Sequence, residues 1–162
     1  SSWPSVRDSD IQTVKGAGLC GDAGTADLAA RRSMGHPYMV QLVGYYMWRA
    51  AVRRDSRVIE ERDVEDGHAD AVSEFYEAVD APLYYGQRSP QRLLIEAMAA
   101  DEGKPTRMAD IIERCDRTQS WASKYRASLI RERVIEAAGY GLVRFTVPML
   151  GAYVRDRVLW NE

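Results

Sequence analysis

The sequence is poor in the residues that build metal centres and disulfide scaffolds. Its 162 residues include two cysteines and two histidines. Cys20 and Cys115 are far apart and have neither CxxC nor zinc-ligand spacing. This argues against a disulfide framework and fits a reducing compartment, so we expect a cytoplasmic protein. With only His36 and His68 available, the sequence also argues against a histidine-rich metal site.

Several sequence patterns of enzymes and membrane proteins are also missing. No GxxxxGK[ST] phosphate loop occurs, and the longest apolar stretch is too short to span a bilayer. Gly16, Gly18 and Gly21 have GxGxxG spacing, but no convincing buried strand precedes them, so we predict a turn there. No Ser-His-Asp or Cys-His arrangement can be argued. We therefore predict no catalytic residue, no metal site and no membrane partner.

The charge is nearly balanced overall but divides unevenly along the chain. The formal net charge is −2, so no overall field draws the chain to nucleic acid. Residues 1–88 carry 10 Lys/Arg and 14 Asp/Glu, whereas residues 89–162 carry 12 and 10. The second half is therefore the part better suited to an anionic partner.

The first half reads as three helices. Thr25 is predicted to cap a short helix that Gly35 ends. Pro37 then begins a helix that runs to about Arg54 and is apolar on nearly every side, which indicates a central, buried helix. A third helix follows, and its acidic residues are expected to lie mostly on the solvated face. Its inward residues are predicted by helical spacing: Ala69, Val72, Tyr76 and Val79.

The second half reads as three more helices, a hairpin and a final helix. Pro90 begins the first of these helices, Thr106 is predicted to cap the second, with Ala109 and Ile112 inward, and the third covers residues 119–133. The Gly-Tyr-Gly loop at 139–141 separates two β-rich pieces and predicts a β-hairpin. Pro148 then opens the last helix. This order is that of a winged helix-turn-helix domain.

These patterns predict a mainly α fold, in which a helical subdomain precedes a winged helix-turn-helix domain with a small β-hairpin wing. The predicted divisions are a poorly defined leader at 1–24, the helical subdomain at 25–80, a linker at 81–88 and the winged helix at 89–162. The linker is placed where proline, glycine and the change of charge coincide.

A winged helix suggests a nucleic-acid site. In such domains the third helix can enter the major groove while the wing contacts phosphates. The region 118–133 carries four basic residues and one acid. We predict that Trp121 and Tyr125 fill the core rather than stack on bases. Many winged helices instead dock proteins, and that alternative stays open. The candidate DNA-binding residues are Arg117, Gln119, Ser120, Ser123, Lys124, Arg126, Tyr140 and Arg144.

Three pieces of the sequence together resemble a known family. They are "GHPYMVQLVGYYMWR", the acidic helix after it, and "RTQSWASKYRASLIRERVIEAAGYGLVRFTVPMLGAYVRD". They resemble the C-terminal part of bacterial and archaeal AAA+/STAND-type ATPases, relatives of the origin-recognition ATPases. In that family a helical lid follows the nucleotide-binding core, and a winged helix follows the lid. The resemblance covers about residues 25–158.

The resemblance implies a nucleotide contact at the start of the long helix. Gly35 and Pro37 would approach the adenine of ATP or ADP, with His36 and Tyr38 nearby. A plain glycine stop and proline start explain the same residues. The family's Walker motifs are not in this sequence, so we expect no enzyme activity and no cofactor in the chain alone.

The leading interpretation is a non-catalytic C-terminal region that couples the nucleotide state of a parent ATPase to DNA or to a partner. The absence of an initial methionine favours such a fragment. Its partners would be duplex DNA, the parent ATPase core or another protein. Two alternatives remain: a stand-alone transcriptional regulator that binds duplex DNA as a dimer, and a protein-interaction module that does not bind DNA.

Overall fold

The computed structural model describes residues 20–161 and is mainly helical. It forms two compact units that divide between Phe75 and Tyr76. Within the described range, no helix is long and apolar enough to cross a bilayer. Of the glycine-rich segment near the start, Gly16 and Gly18 lie outside the described residues, and Gly21 belongs to a short strand.

Between residues 20 and 75, the first unit has three helices and one pair of short strands. Strands β1 (Cys20–Gly21) and β2 (Val58–Ile59) pair in parallel. The helices are α1 (Ala23–Arg32), α2 (Pro37–Arg53) and α3 (Glu61–Phe75).

Helix α1 begins one turn earlier than predicted. Asp22 is the N-cap, and its Oδ1 accepts hydrogen bonds at 2.8 Å from both the amide and the hydroxyl of Thr25. The prediction that Thr25 caps this helix was therefore wrong. A carboxylate at this position satisfies a first-turn amide and carries charge that suits the positive end of the helix.

Helix α2 begins at Pro37 as predicted, but it is buried on only part of its circumference, because Tyr45, Arg49 and Val52 lie on an exposed side. It packs closely against α3 at Gly67. A Cβ atom added at Gly67 would lie 2.7 Å from the backbone carbonyl carbon of Tyr46, so only glycine allows the two helices this separation. The buried residues of α2 are Met39, Val40, Leu42, Val43, Gly44, Met47 and Ala51.

The predicted inward residues were only partly right: Tyr76 is buried as predicted, but the phase within α3 was wrong. Ala69 is exposed, and Val72 is only half-buried. Because Gly67 must face α2, the residues on its side of the helix are buried instead. That face consists of Val64, Gly67, Ala71 and Phe75.

Most acidic residues of α3 are exposed, as predicted, but Asp63 is fully buried. Its carboxylate accepts two hydrogen bonds from the guanidinium of Arg54, at 2.7 and 2.5 Å, and one from the amide of Glu60 at 2.7 Å. Burial acts to raise the pKa of Asp63, but these hydrogen bonds outweigh it and hold the pKa below its ordinary value. Arg54 therefore neutralises a buried charge and does not belong to a free, solvated helix end.

The second unit opens with a π-helical segment (Tyr76–Asp80) and α4 (Ala81–Tyr85). Residues 81–88, predicted as a linker, thus contain a helix. The remaining helices are α5 (Ser89–Ala99), α6 (Met108–Cys115), α7 (Gln119–Arg131) and α8 (Leu150–Tyr153). A π-helical segment (Val154–Val158) and a 3₁₀ turn (Leu159–Asn161) follow α8.

A small antiparallel sheet of three strands completes the second unit. Its strands are β3 (Thr106–Arg107), β4 (Ile135–Gly139) and β5 (Leu142–Phe145), in the spatial order β3-β5-β4. The predicted β4–β5 hairpin is confirmed. The core of the unit contains fully buried residues from the helices and the sheet: Leu94, Ile95, Ile111, Leu129, Val143 and Leu150.

Two predictions about α6 were wrong. Thr106 does not cap the helix: it lies in β3, and its hydroxyl donates to Asp101 Oδ2 at 2.6 Å. Ala109 is exposed, whereas Ile111 and Cys115 form the buried face. The pairing of Thr106 with Val143 fixes the direction in which α6 starts, and local periodicity carries no information about that pairing.

Candidate functional site

Helix α6, helix α7 and the tip of the β4–β5 hairpin enclose an open groove of about 660 Å³. Four of the predicted DNA-binding residues line it: Gln119, Ser123, Arg126 and Tyr140. None of the residues lining the groove is acidic. The structure therefore brings half of the predicted site together on one surface without an opposing carboxylate.

The start and the buried face of α7 determine which side chains it presents. Thr118 is the N-cap, and its hydroxyl oxygen accepts from the amide of Trp121 at 3.1 Å. Ala122 and Leu129 are buried in the unit. By the helical period, the residues on the other side are then exposed; among them are Ser120, Ser123 and Lys124.

The hairpin holds Tyr140 out into solvent. Gly139 and Gly141 on either side of it have φ angles of +130° and +67°, a conformation that favours glycine. The tyrosine side chain is fully exposed. This turn therefore places an aromatic ring with a hydroxyl at the rim of the groove.

Arg144 and Lys124 lie outside the groove. Arg144 Nε donates to Glu136 Oε1 at 2.7 Å across the two hairpin strands, and both side chains are about half exposed. A phosphate at Arg144 would have to compete with that carboxylate. The ammonium group of Lys124 lies 5.3 Å from the centre of the Tyr125 ring. Lys124 is exposed to solvent.

Arg117 also lies away from the groove. Asp116 ends α6 in the left-handed conformation, with φ of +50°, and Arg117 follows it. The Arg117 guanidinium lies over the ring of Trp121, 5.9 Å from its centre. The prediction that Trp121 and Tyr125 fill the core was wrong, because both are only half-buried, with ring centres 5.2 Å apart.

The four residues predicted to contact a nucleotide build the start of α2. Gly35 has φ of +71°, a backbone conformation that favours glycine. A Cβ atom added there would meet nothing within 4 Å, so the space beside Gly35 is open. His36 is the N-cap of α2, and its Nδ1 accepts from the Tyr38 amide at 3.2 Å. Burial lowers the pKa of His36, which favours the neutral ring that this hydrogen bond needs. The nucleotide contact itself stays a prediction.

The groove also contains residues that the sequence did not indicate as part of a site. Met108, Ala109 and Ile112 of α6 give it an apolar floor. The only available signal was that Ala109 and Ile112 share a helix face, which we assigned to the core. In residues 20–161, no group of three or more His, Cys, Asp or Glu side chains could hold a metal ion.

Comparison with known proteins gives one family match and a weak structural likeness. A family described as a domain of unknown function (DUF8462) matches residues 84–154, which lie within the second unit. No curated protein matches the chain. Two solved variants of Thermotoga maritima RuvB align with 94% of the chain at 12% and 10% identity, with TM-scores of 0.42 and 0.43. The chain spans about half of their length, 48% in each case. Neither likeness is strong enough to assign a function.

Proposed function

We propose that the second unit is a winged helix that binds duplex DNA, with α7 as the recognition helix and the β4–β5 hairpin as the wing. The observation that carries this proposal is the groove, in which α7 and the hairpin tip present Gln119, Ser123, Arg126 and Tyr140, and whose lining contains no acidic residue. The arrangement of three helices, α5 to α7, with a three-stranded sheet supports it.

The chemistry of α7 suits a nucleic acid. From Gln119 to Arg131 the helix contains three basic residues and no acid. The amide of Gln119 can hydrogen-bond a base edge, and the hydroxyl of Ser123 can reach a base or a phosphate. Lys124 and Arg126 supply positive charge for the phosphate backbone.

The proposal is tested by fluorescence anisotropy with a labelled duplex at low salt. We expect Lys124→Gln and Arg126→Gln each to weaken binding about tenfold, because each removes one cationic contact. The matched control is Arg49→Gln, which removes an exposed arginine from α2 of the first unit. If the two α7 variants bind as tightly as the control, α7 does not contact the DNA.

The apolar floor of the groove favours a second candidate function, docking of a partner protein. Met108, Ala109 and Ile112 could receive an apolar side chain from a partner. This function predicts that the wild-type chain fails to bind the duplex even at low salt. The same anisotropy experiment therefore separates the two candidates.

For the first unit we propose the lid of an AAA+/STAND-like ATP-binding protein, which would transmit the nucleotide state to the second unit. The support is the uncrowded turn at Gly35 and the exposed Pro37 at the start of helix α2. The chain lacks the family's Walker motifs, so we expect it neither to hydrolyse ATP nor to bind ADP tightly alone. When the ATP-binding core is supplied, His36→Ala should weaken ADP binding. An unchanged affinity would count against the lid.

A further inference from the structure

A second concave surface lies on the other flank of α7 and shares no lining residue with the groove. It has a volume of about 470 Å³ and is bounded by α4, α5 and the residues around the start of α7. We call it the arginine recess. The side chains that matter for its chemistry are Tyr84, Ser89, Arg92, Glu96, Arg117 and Trp121.

Arg92 has an unsatisfied donor in this recess. Its Nε atom is buried and has no hydrogen-bond partner. The guanidinium also forms no ion pair with any side chain that the structure describes, not even with Glu96 one turn along the same helix. A buried guanidinium N–H without an acceptor is costly, and the charge of Arg92, whose side chain lines the recess, is left without a partner within residues 20–161.

Arg117 also lines the recess, just before the start of α7. Its Nη1 donates to the carbonyl oxygens of Cys115 and Asp116, each at 3.2 Å, and its guanidinium lies over Trp121. These contacts use one of its nitrogens and leave other N–H groups available. Two guanidinium groups therefore line one recess, and a planar fork of donors matches the oxygens of a phosphate.

The remaining polar groups of the recess offset only part of this positive charge, because two arginines face one acid. Glu96 is the only acid among the lining residues, and its Oε1 already accepts from the hydroxyl of Tyr84. No side chain caps the first turn of the 11-residue helix α5, which begins at Ser89. The Ser89 hydroxyl and the positive end of that helix reinforce a preference for an anion.

We propose that the arginine recess binds a phosphate group, with Arg92 and Arg117 donating to its oxygens. The recess is larger than a lone phosphate and has room for an attached sugar. The phosphate could belong to a nucleic-acid backbone or to a free nucleotide, and the chemistry of recognition is the same for both. This site is distinct from the DNA-binding groove and does not depend on it.

The test is a ¹⁵N NMR titration of the chain that follows the Nε–H signal of Arg92 and the indole N–H signal of Trp121. The added ligands are inorganic phosphate, AMP and a short duplex, with sodium chloride as the control for ionic strength. We expect phosphate to shift both signals to saturation. Arg92→Gln and Arg117→Gln should each weaken phosphate binding at least about tenfold, as expected for loss of a hydrogen bond to a charged group.

The matched control is Arg49→Gln, which removes an exposed arginine from α2 of the first unit and should leave phosphate binding in the recess unchanged. Arg92→Lys, which keeps the charge but loses the fork, should retain part of the affinity. A duplex-induced shift of the Trp121 signal that Arg92→Gln abolishes identifies a backbone phosphate in the recess, whereas a shift with AMP alone identifies a free nucleotide. If phosphate up to about 10 mM gives no saturable shift, or if Arg92→Gln and Arg117→Gln bind it like the wild type, the proposal is overturned.

Discussion

Asp80 offers the sharpest prediction about stability, because it is a buried carboxyl group without a partner. Its side chain is fully buried in the π-helical segment Tyr76–Asp80, and neither of its oxygens has a hydrogen-bond partner. Burial raises the pKa of Asp80 from 3.8 to about 7. Burial is the main cause that raises the pKa values of the Tyr76 and Tyr153 phenols, and the charge of Asp80 adds to the effect.

The direction of the pH effect follows from this shift. Because the pKa of Asp80 is higher in the folded state, the folded protein binds the proton more tightly than the unfolded chain does. The stabilisation from this proton is fully present below about pH 4 and is lost as the pH rises to about 7, the folded-state value. A shift of about three pH units corresponds to a loss of roughly 4 kcal/mol, at about 1.4 kcal/mol for each unit.

The perturbation that isolates this effect is Asp80→Asn, which keeps the shape of the side chain but cannot ionise. Urea unfolding at a series of pH values would measure the free energy of unfolding of both proteins. We expect the free energy of unfolding of the variant, relative to that of the wild type, to increase by about 1.4 kcal/mol for each pH unit between about pH 4 and 7. Above that range the difference should stay at roughly 4 kcal/mol. Glu77→Gln removes an exposed carboxylate from the same segment and is the control. If the difference in free energy of unfolding between the wild type and Asp80→Asn does not change with pH, the pKa of Asp80 is not raised in the folded state.

Three further predictions concern packing and charge. Arg54→Met should destabilise the first unit by about 3 kcal/mol or more in urea unfolding, because it leaves a buried carboxylate unpaired; a neutral effect would contradict the ion pair. Gly67→Ala should lower the free energy of unfolding by about 1–3 kcal/mol, because its Cβ would overlap the backbone of α2. The control, Gly24→Ala in α1, should not lower it. Glu136→Gln should release Arg144 and strengthen binding to a duplex severalfold at low salt, and unchanged affinity would place Arg144 outside the interface.

Local chemistry was enough to predict where several elements begin and turn. Pro37 can start a helix because its missing N–H needs no partner there, and the structure begins α2 at this residue. Gly139 and Gly141 permit the backbone angles of a tight hairpin, and the structure turns between β4 and β5 there. These signals depend on residues that are neighbours in the sequence.

The inward faces of α3 and α6 could not be predicted in the same way, because partners distant in the sequence select them. Ala69 fits an apolar period but is exposed, since the close approach of Gly67 to α2 rotates the helix face toward Val64 and Ala71. Ala109 is exposed because strand pairing before α6 sets the helix phase.

The candidate site likewise combines features that nearby residues determine with features that depend on residues distant in the sequence. Gln119, Ser123 and Arg126 lie together because a single helix places them on one side, and that could be predicted from their spacing. The ion pair of Arg144 with Glu136 depends on strand register. The role of Arg92 depends on the start of α7 lying beside α5, which no local pattern reveals.

The most direct test of DNA binding by the second unit is the salt dependence of its affinity for a labelled duplex. If α7 and the hairpin bind duplex DNA, the logarithm of the binding constant should fall linearly with the logarithm of salt concentration, with a slope of about −0.9 for each phosphate neutralised. Lys124→Gln should reduce the magnitude of that slope by about 1. Absence of binding at low salt, or binding that salt does not weaken, would contradict the proposal that the second unit binds DNA through phosphate contacts.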